Sequence, residues 1–70
     1  MKAIVTSRYN GTRFFLTDEG LASDIPQRAR AFNYSHDAQT FANAENALSC
    51  WCGIRWHAAY MLHNGAIAEQ

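Results

Sequence analysis

At 70 residues the chain has room for one domain, taken here as 1-70. A chain this short buries only about 60% of its unfolded surface, so it must use its large side chains well; four Phe, three Tyr and two Trp within a 49% apolar composition support a folded core. Six basic against six acidic residues give a formal net charge of zero, which argues against a general nucleic-acid binder, a class that is ordinarily basic.

The clearest local signal is Lys2 to Thr17, where KAIVTSRY and TRFFLT flank Asn10-Gly11. That dipeptide favours a two-residue type I′ turn, because both central residues need positive φ. The turn sets a register in which Tyr9 opposes Thr12, Arg8 opposes Arg13, Ser7 opposes Phe14, Thr6 opposes Phe15 and Val5 opposes Leu16. One face then carries Ala3, Val5, Ser7, Tyr9, Phe14 and Leu16 and is assigned to the core; the other carries Ile4, Thr6, Arg8, Arg13, Phe15 and Thr17. Two arginines directly opposite each other repel slightly. A wet surface tolerates the pair, and a surface for an acidic partner would exploit it.

Asp18 to Asn33 reads as irregular. Gly20 suits a turn, Asp24 could cap one turn of helix or 3₁₀ with Pro26 near its first position, and Gln27 to Ala31 would complete it. Ala29 and Phe32 are expected to dip into the core edge, with Arg28 and Arg30 pointing outward.

Ser35 to Gly53 reads as the only full-length helix. Ser35 is a good N-cap, Asp37 favours the positive end of the dipole, and Gly53 suits the C′ position. Phe41, Ala44, Leu48 and Trp51 recur at steps of three and four, flanked by Ala38 and Cys52, and form the expected buried stripe.

After Gly53 the run IRWHAAYML alternates. Ile54, Trp56, Ala58, Tyr60 and Leu62 form the set expected under the helix; Arg55, His57, Ala59 and Met61 form the other. His63-Asn64-Gly65 ends the strand, and 66-70 reads as a frayed tail. The expected fold is therefore α+β: a three-stranded antiparallel sheet, order 2-1-3, with one main helix packed on one face. Arg55 and His57 would then join Arg8, Arg13 and Phe15 on a basic and aromatic face opposite the helix, with Arg28 and Arg30 beside it.

No complete catalytic or metal-binding motif is present. Structural zinc takes C-x₂₋₄-C pairs and four ligands, whereas Cys50 and Cys52 are spaced C-x-C and point to different faces of a helix. Two free thiols, with Cys52 buried and Cys50 more exposed, are expected. A Cys–His nucleophilic pair lacks a third orienting group and an oxyanion loop, so the chain is read as non-enzymatic, with no cofactor and no metal. MKAIVTSRYN has no long apolar run of the signal-peptide kind, no stretch approaches the roughly 18 apolar residues of a membrane span, and two cysteines without an export signal point to a reducing, cytoplasmic setting.

The stretches FFLTDEG, ASD and RARAFNYSHDAQTFANAENA, from Phe14 to Leu48, resemble a pattern of small phage and prophage proteins: a hairpin ending in a turn, an acidic linker, a Ser cap and a helix. Several anti-CRISPR proteins share this size and this β-β-α-β style. The resemblance implies a phage-type inhibitor that works by steric binding inside the host cell, docking on a bacterial CRISPR effector or other host defence protein and blocking DNA binding or nuclease recruitment. With six acids against six bases the chain does not carry the acidic surface of a DNA mimic. On the residues alone, a second reading is a single-stranded nucleic-acid binding module that uses the same basic and aromatic face; a third is a homodimer.

Overall fold

A computed structural model describes residues 2–48 and 51–69. Strands β1 (Lys2–Tyr9) and β2 (Thr12–Leu16) form the hairpin, followed by β3 (Ala22–Ser23), a 3₁₀ turn (Pro26–Arg28), α1 (Ser35–Asn46), β4 (His57–Met61) and β5 (Ile67–Glu69). Asn10 and Gly11 both take positive φ, 53° and 79°, as a type I′ turn requires. The hairpin pairs Thr6 with Phe15, Ser7 with Phe14, Arg8 with Arg13 and Tyr9 with Thr12.

The sheet differs from the three-stranded expectation. It has five strands in the order β3-β2-β1-β4-β5. Both additional strands arise at turns that reverse the chain instead of releasing it. After β2, the Thr17 amide donates to the Leu21 carbonyl at 2.9 Å and Gly20 returns a bond to Thr17 at 3.0 Å, which lays β3 against Phe15 and Leu16. After β4, Leu62 N donates to Ala66 O at 2.8 Å and Gly65 N to Leu62 O at 2.9 Å. Residues 67–69, expected as frayed tail, therefore pair as β5 with Ala59, Tyr60 and Met61; Gln70 lies outside the described residues. Where β2 ends, Ala29 to Phe32 moves in beside β1: Arg30 N donates to Leu16 O at 2.9 Å and Phe32 N to Ala3 O at 2.8 Å.

The helix packs on β1 and β4 through its smallest residues. Ala38 and Ala42 are fully buried against Ala3, Val5, Leu16, Trp56 and Ala58, with Phe14, Phe32, Phe41, Trp51, Ile54 and Tyr60 at the margin. Alanine on both sides lets helix and sheet approach closely. The buried stripe is thus rotated from the expected one, and Ala44 and Leu48 are exposed.

The helix also stops at Asn46, short of Gly53. Its last side chain turns to the returning chain: Asn46 Oδ1 accepts from the Trp56 amide at 2.7 Å and Asn46 Nδ2 donates to the Trp56 carbonyl at 2.8 Å. Trp51 stacks edge-on against Trp56, centroids 5.1 Å apart at 81°, and its Nε1 donates to Glu45 at 2.8 Å. The indole thereby packs on the core from a loop, not from a further helical turn. Gly53 still has positive φ, 79°, but in that loop. At the other end, Tyr34 and not Ser35 occupies the cap position, with no side-chain bond to the helix. The 3₁₀ turn likewise starts from Ile25, uncapped by Asp24, with Pro26 in its first turn.

β5 reaches only as far as Ala59. Beyond it, Gln39 Oε1 accepts from the Ala58 amide at 3.1 Å and Asn46 holds both Trp56 groups. Side chains of α1 thus take the place of a longer edge strand, satisfying backbone groups that would otherwise be costly to bury or open to a foreign strand.

Candidate binding surface

The face opposite α1 is built by strand alternation. Thr6, Arg13 and Phe15 come from the hairpin, His57, Ala59 and Met61 from β4 opposite Thr6, Ile4 and Lys2, and Ile67 and Glu69 from β5. The face divides into two zones. Toward the 3₁₀ turn, Ile4, Phe15, Ala29, Ala59 and Met61 form a second small core, with Ile67 packed against it. Phe15 is only 3% exposed, so the contact role expected for it is corrected: it is a packing residue. The expected open face is half closed because Ala29, next to the 3₁₀ turn, packs onto it; Pro26, Gln27 and the β4–β5 turn line an open groove of about 810 Å³ beside it.

The other zone is polar and runs across four strands. Arg13 Nη2 donates to Glu69 Oε1 at 2.6 Å, and the second carboxylate oxygen, Oε2, lies 2.6 Å from His57 Nε2. A carboxylate only accepts, so Nε2 carries the hydrogen of that bond. Arg13 Nη1 also donates to Thr6 Oγ1 at 3.2 Å, and Thr6 passes its own hydrogen to the Phe14 carbonyl at 2.7 Å. Thr6 is fully buried, so the guanidinium is aimed by a hydroxyl set in the interior and itself hydrogen-bonded.

The Arg13 bond, opposed in part by burial and joined by the bond to His57, holds the Glu69 carboxyl below its ordinary value. A group whose folded pKa is depressed contributes stability above the unfolded value and loses it as pH falls through the folded value. Wild type is therefore expected to lose stability between about pH 5 and pH 3 by an increment that Glu69→Gln lacks. Urea midpoints of the two proteins across that range check this. Glu69 is 48% exposed, so added salt should shrink the difference.

The remaining predicted contacts are dispersed. Arg8, the cross-strand partner of Arg13, is exposed, as are Arg28 and Arg55. Arg28 borders a groove of about 290 Å³ at the β3 edge, with Glu19, Leu21 and Ile25. Arg30 is not beside this face; its guanidinium lies over Phe32 and Phe41, 4.9 and 4.8 Å from the ring centroids, on the helix side. The fold thus brings Arg8, Arg13 and His57 together and leaves Arg28 and Arg30 apart. Sequence reasoning missed Glu69 and the anchoring role of Thr6. The available signal was the spacing of Ile67 and Glu69, two apart after a His-Asn-Gly turn.

Among the described residues no group of three or more His, Cys, Asp or Glu side chains could hold a metal ion. Cys52 is exposed, not buried as expected, and Cys50 lies outside the described residues. Among the described residues no helix is long and apolar enough to cross a membrane. The architecture defines a small α+β domain with a five-stranded antiparallel sheet and one helix. Comparison of the chain with protein-family models, curated proteins and solved structures returns no match.

Proposed function

We propose that the protein is a non-enzymatic, phage-type inhibitor that acts in the host cytoplasm, an anti-CRISPR that docks on a CRISPR effector and blocks DNA binding or nuclease recruitment. The observation that carries this reading is the excess of positive charge around the hairpin and the start of β4. Arg8 and Arg13 stand opposite each other on β1 and β2, His57 shares Glu69 with Arg13, and exposed Arg55 precedes His57 by two residues. Two guanidinium groups, Arg8 and Arg13, there stand against one carboxylate, Glu69. Arginine is a frequent interface anchor, and a surface of one sign steers association with an oppositely charged partner. The resemblance of Phe14 to Leu48 to small phage proteins supplies the class of target.

Stacking of single-stranded bases needs exposed rings, and the burial of Phe15 removes the ring assigned to that role. The reading is tested by phage plaquing on CRISPR-immune bacteria expressing the chain. The double variant Arg8→Glu/Arg55→Glu alters two exposed positions away from the core, so it should fold normally and yet lose the rescue of plaquing. A folded variant that rescues as well as wild type would rule out the basic surface as the docking site.

A further inference from the structure

We propose that Arg13, His57 and Thr6 form a carboxylate-binding site whose resident occupant is the chain's own Glu69, and that an acidic side chain of the partner protein takes its place on docking. The inference rests on the inhibitor reading for its partner, but the site itself rests on geometry. The receiving side is fixed. Arg13 and Thr6 lie on the paired strands β2 and β1, the Arg13 side chain is only 19% exposed, and Thr6 holds one of its nitrogens. His57 pairs directly with Thr6 on β4. Two donors from separate strands therefore converge on the two oxygens of one carboxylate, each at 2.6 Å, which is the short range of charge-assisted bonds.

The occupant is held less firmly. Glu69 is 48% exposed on its side chain and belongs to a three-residue edge strand joined to β4 by a tight turn. An edge strand this short opens at small cost compared with the central ladder, and its opening uncovers Arg13 and His57 next to Arg8. The tether gives Glu69 a high effective concentration at the site, so an outside carboxylate binds weakly unless neighbouring contacts help it or the tether is cut. Carboxylate is the class the site already accepts. In a partner protein it is a Glu or Asp side chain within an acidic patch, which Arg13 and the neighbouring Arg8 would meet.

The test is fluorescence anisotropy with a labelled seven-residue polyglutamate peptide and, in parallel, a labelled oligo-dT strand of equal charge. Glu69→Ala vacates the site and is expected to bind the peptide about tenfold more tightly than wild type, the factor that removal of a tethered competitor gives at modest effective concentration. Adding Arg13→Gln to Glu69→Ala should cancel the gain. The oligonucleotide should show no such gain. Equal peptide binding by Glu69→Ala and wild type, a gain that survives Arg13→Gln, or a larger gain for oligo-dT would each overturn the proposal, the last by assigning the site to nucleic-acid phosphate. If Glu69→Ala loses its fold, Glu69→Gln serves as the vacating variant, and NMR of wild type reads the site directly. Peptide addition should shift the His57 imidazole and Arg13 Nε signals, and their constancy would overturn the proposal as well. Failure of these tests leaves the inhibitor reading to stand on plaquing by wild type; peptide binding as expected with no effect on plaquing refutes that reading and spares the site.

Discussion

Truncating Trp56 to alanine is expected to cost about 3–5 kcal/mol, the range for removing a large buried aromatic side chain. Trp56 is the largest of the fully buried side chains and is 2% exposed. It lies in the helix-side core with Ala38 and Ala42 of α1, and its ring packs against that of Trp51. Domains are stable by only about 5–15 kcal/mol, and small ones sit near the bottom of that range. Trp56→Ala should therefore be largely unfolded at 37 °C, as circular dichroism melts would show. Trp56→Phe is the informative companion. The Trp56 indole Nε1 is buried without an acceptor, and such a group costs about 1–3 kcal/mol. Phenylalanine removes that unpaired donor while keeping most of the ring, so its loss should be well under half that of alanine. Equal losses for the two variants would mean that the indole N–H is satisfied in solution.

Asn46→Ala is expected to cost about 2–4 kcal/mol, since two backbone groups of a buried residue lose their partners together and each unsatisfied group costs about 1–3 kcal/mol. The side-chain amide is suited to this position because it offers one acceptor and one donor on a planar frame, matched to the Trp56 N–H and C=O. Asn46→Asp preserves the acceptor for the Trp56 amide but sets a carboxylate oxygen against the Trp56 carbonyl. It should fall no higher than the alanine variant at neutral pH and recover as the carboxyl protonates. Denaturant titrations of the three proteins at two pH values decide this. An alanine variant as stable as wild type would show that water replaces the clamp at no cost.

Trp56 falls in a stretch that the sequence made legible, whereas the bonds of Asn46 fall where it was least explicit. The hairpin was legible because Asn10-Gly11 dictates a turn geometry and the turn dictates a register. The inner set of β4 and the residue before it was legible because Trp56, Ala58 and Tyr60 alternate. The helix boundary was not. Leu48 and Trp51 continue the three-four spacing past Asn46, but local spacing carries no information about a backbone returning from Trp56 to claim the Asn46 amide. The outer strands escaped for a similar reason. Two residues in β3 and three in β5 are too few to display a period, and their pairing is decided by turns whose bonds close only once β2 and β4 are in place. The missing β5 then misdrew the candidate surface. Without Glu69, Arg13 and His57 looked like open contacts, and without Ala29 packed on the sheet, Phe15 looked like an exposed ring.

The arginines that remain outward, Arg8 and Arg55, together with the Arg13–Glu69–His57 chain, are the groups proposed to meet a partner. Phage plaquing on bacteria immune through each of several CRISPR types, with and without the chain expressed, tests that most directly. Restored plaquing is expected in at least one type, with no rescue there by Arg8→Glu/Arg55→Glu expressed at the same level. Absence of rescue in every type, with the wild-type protein present and folded in the cells, would refute the inhibitor reading.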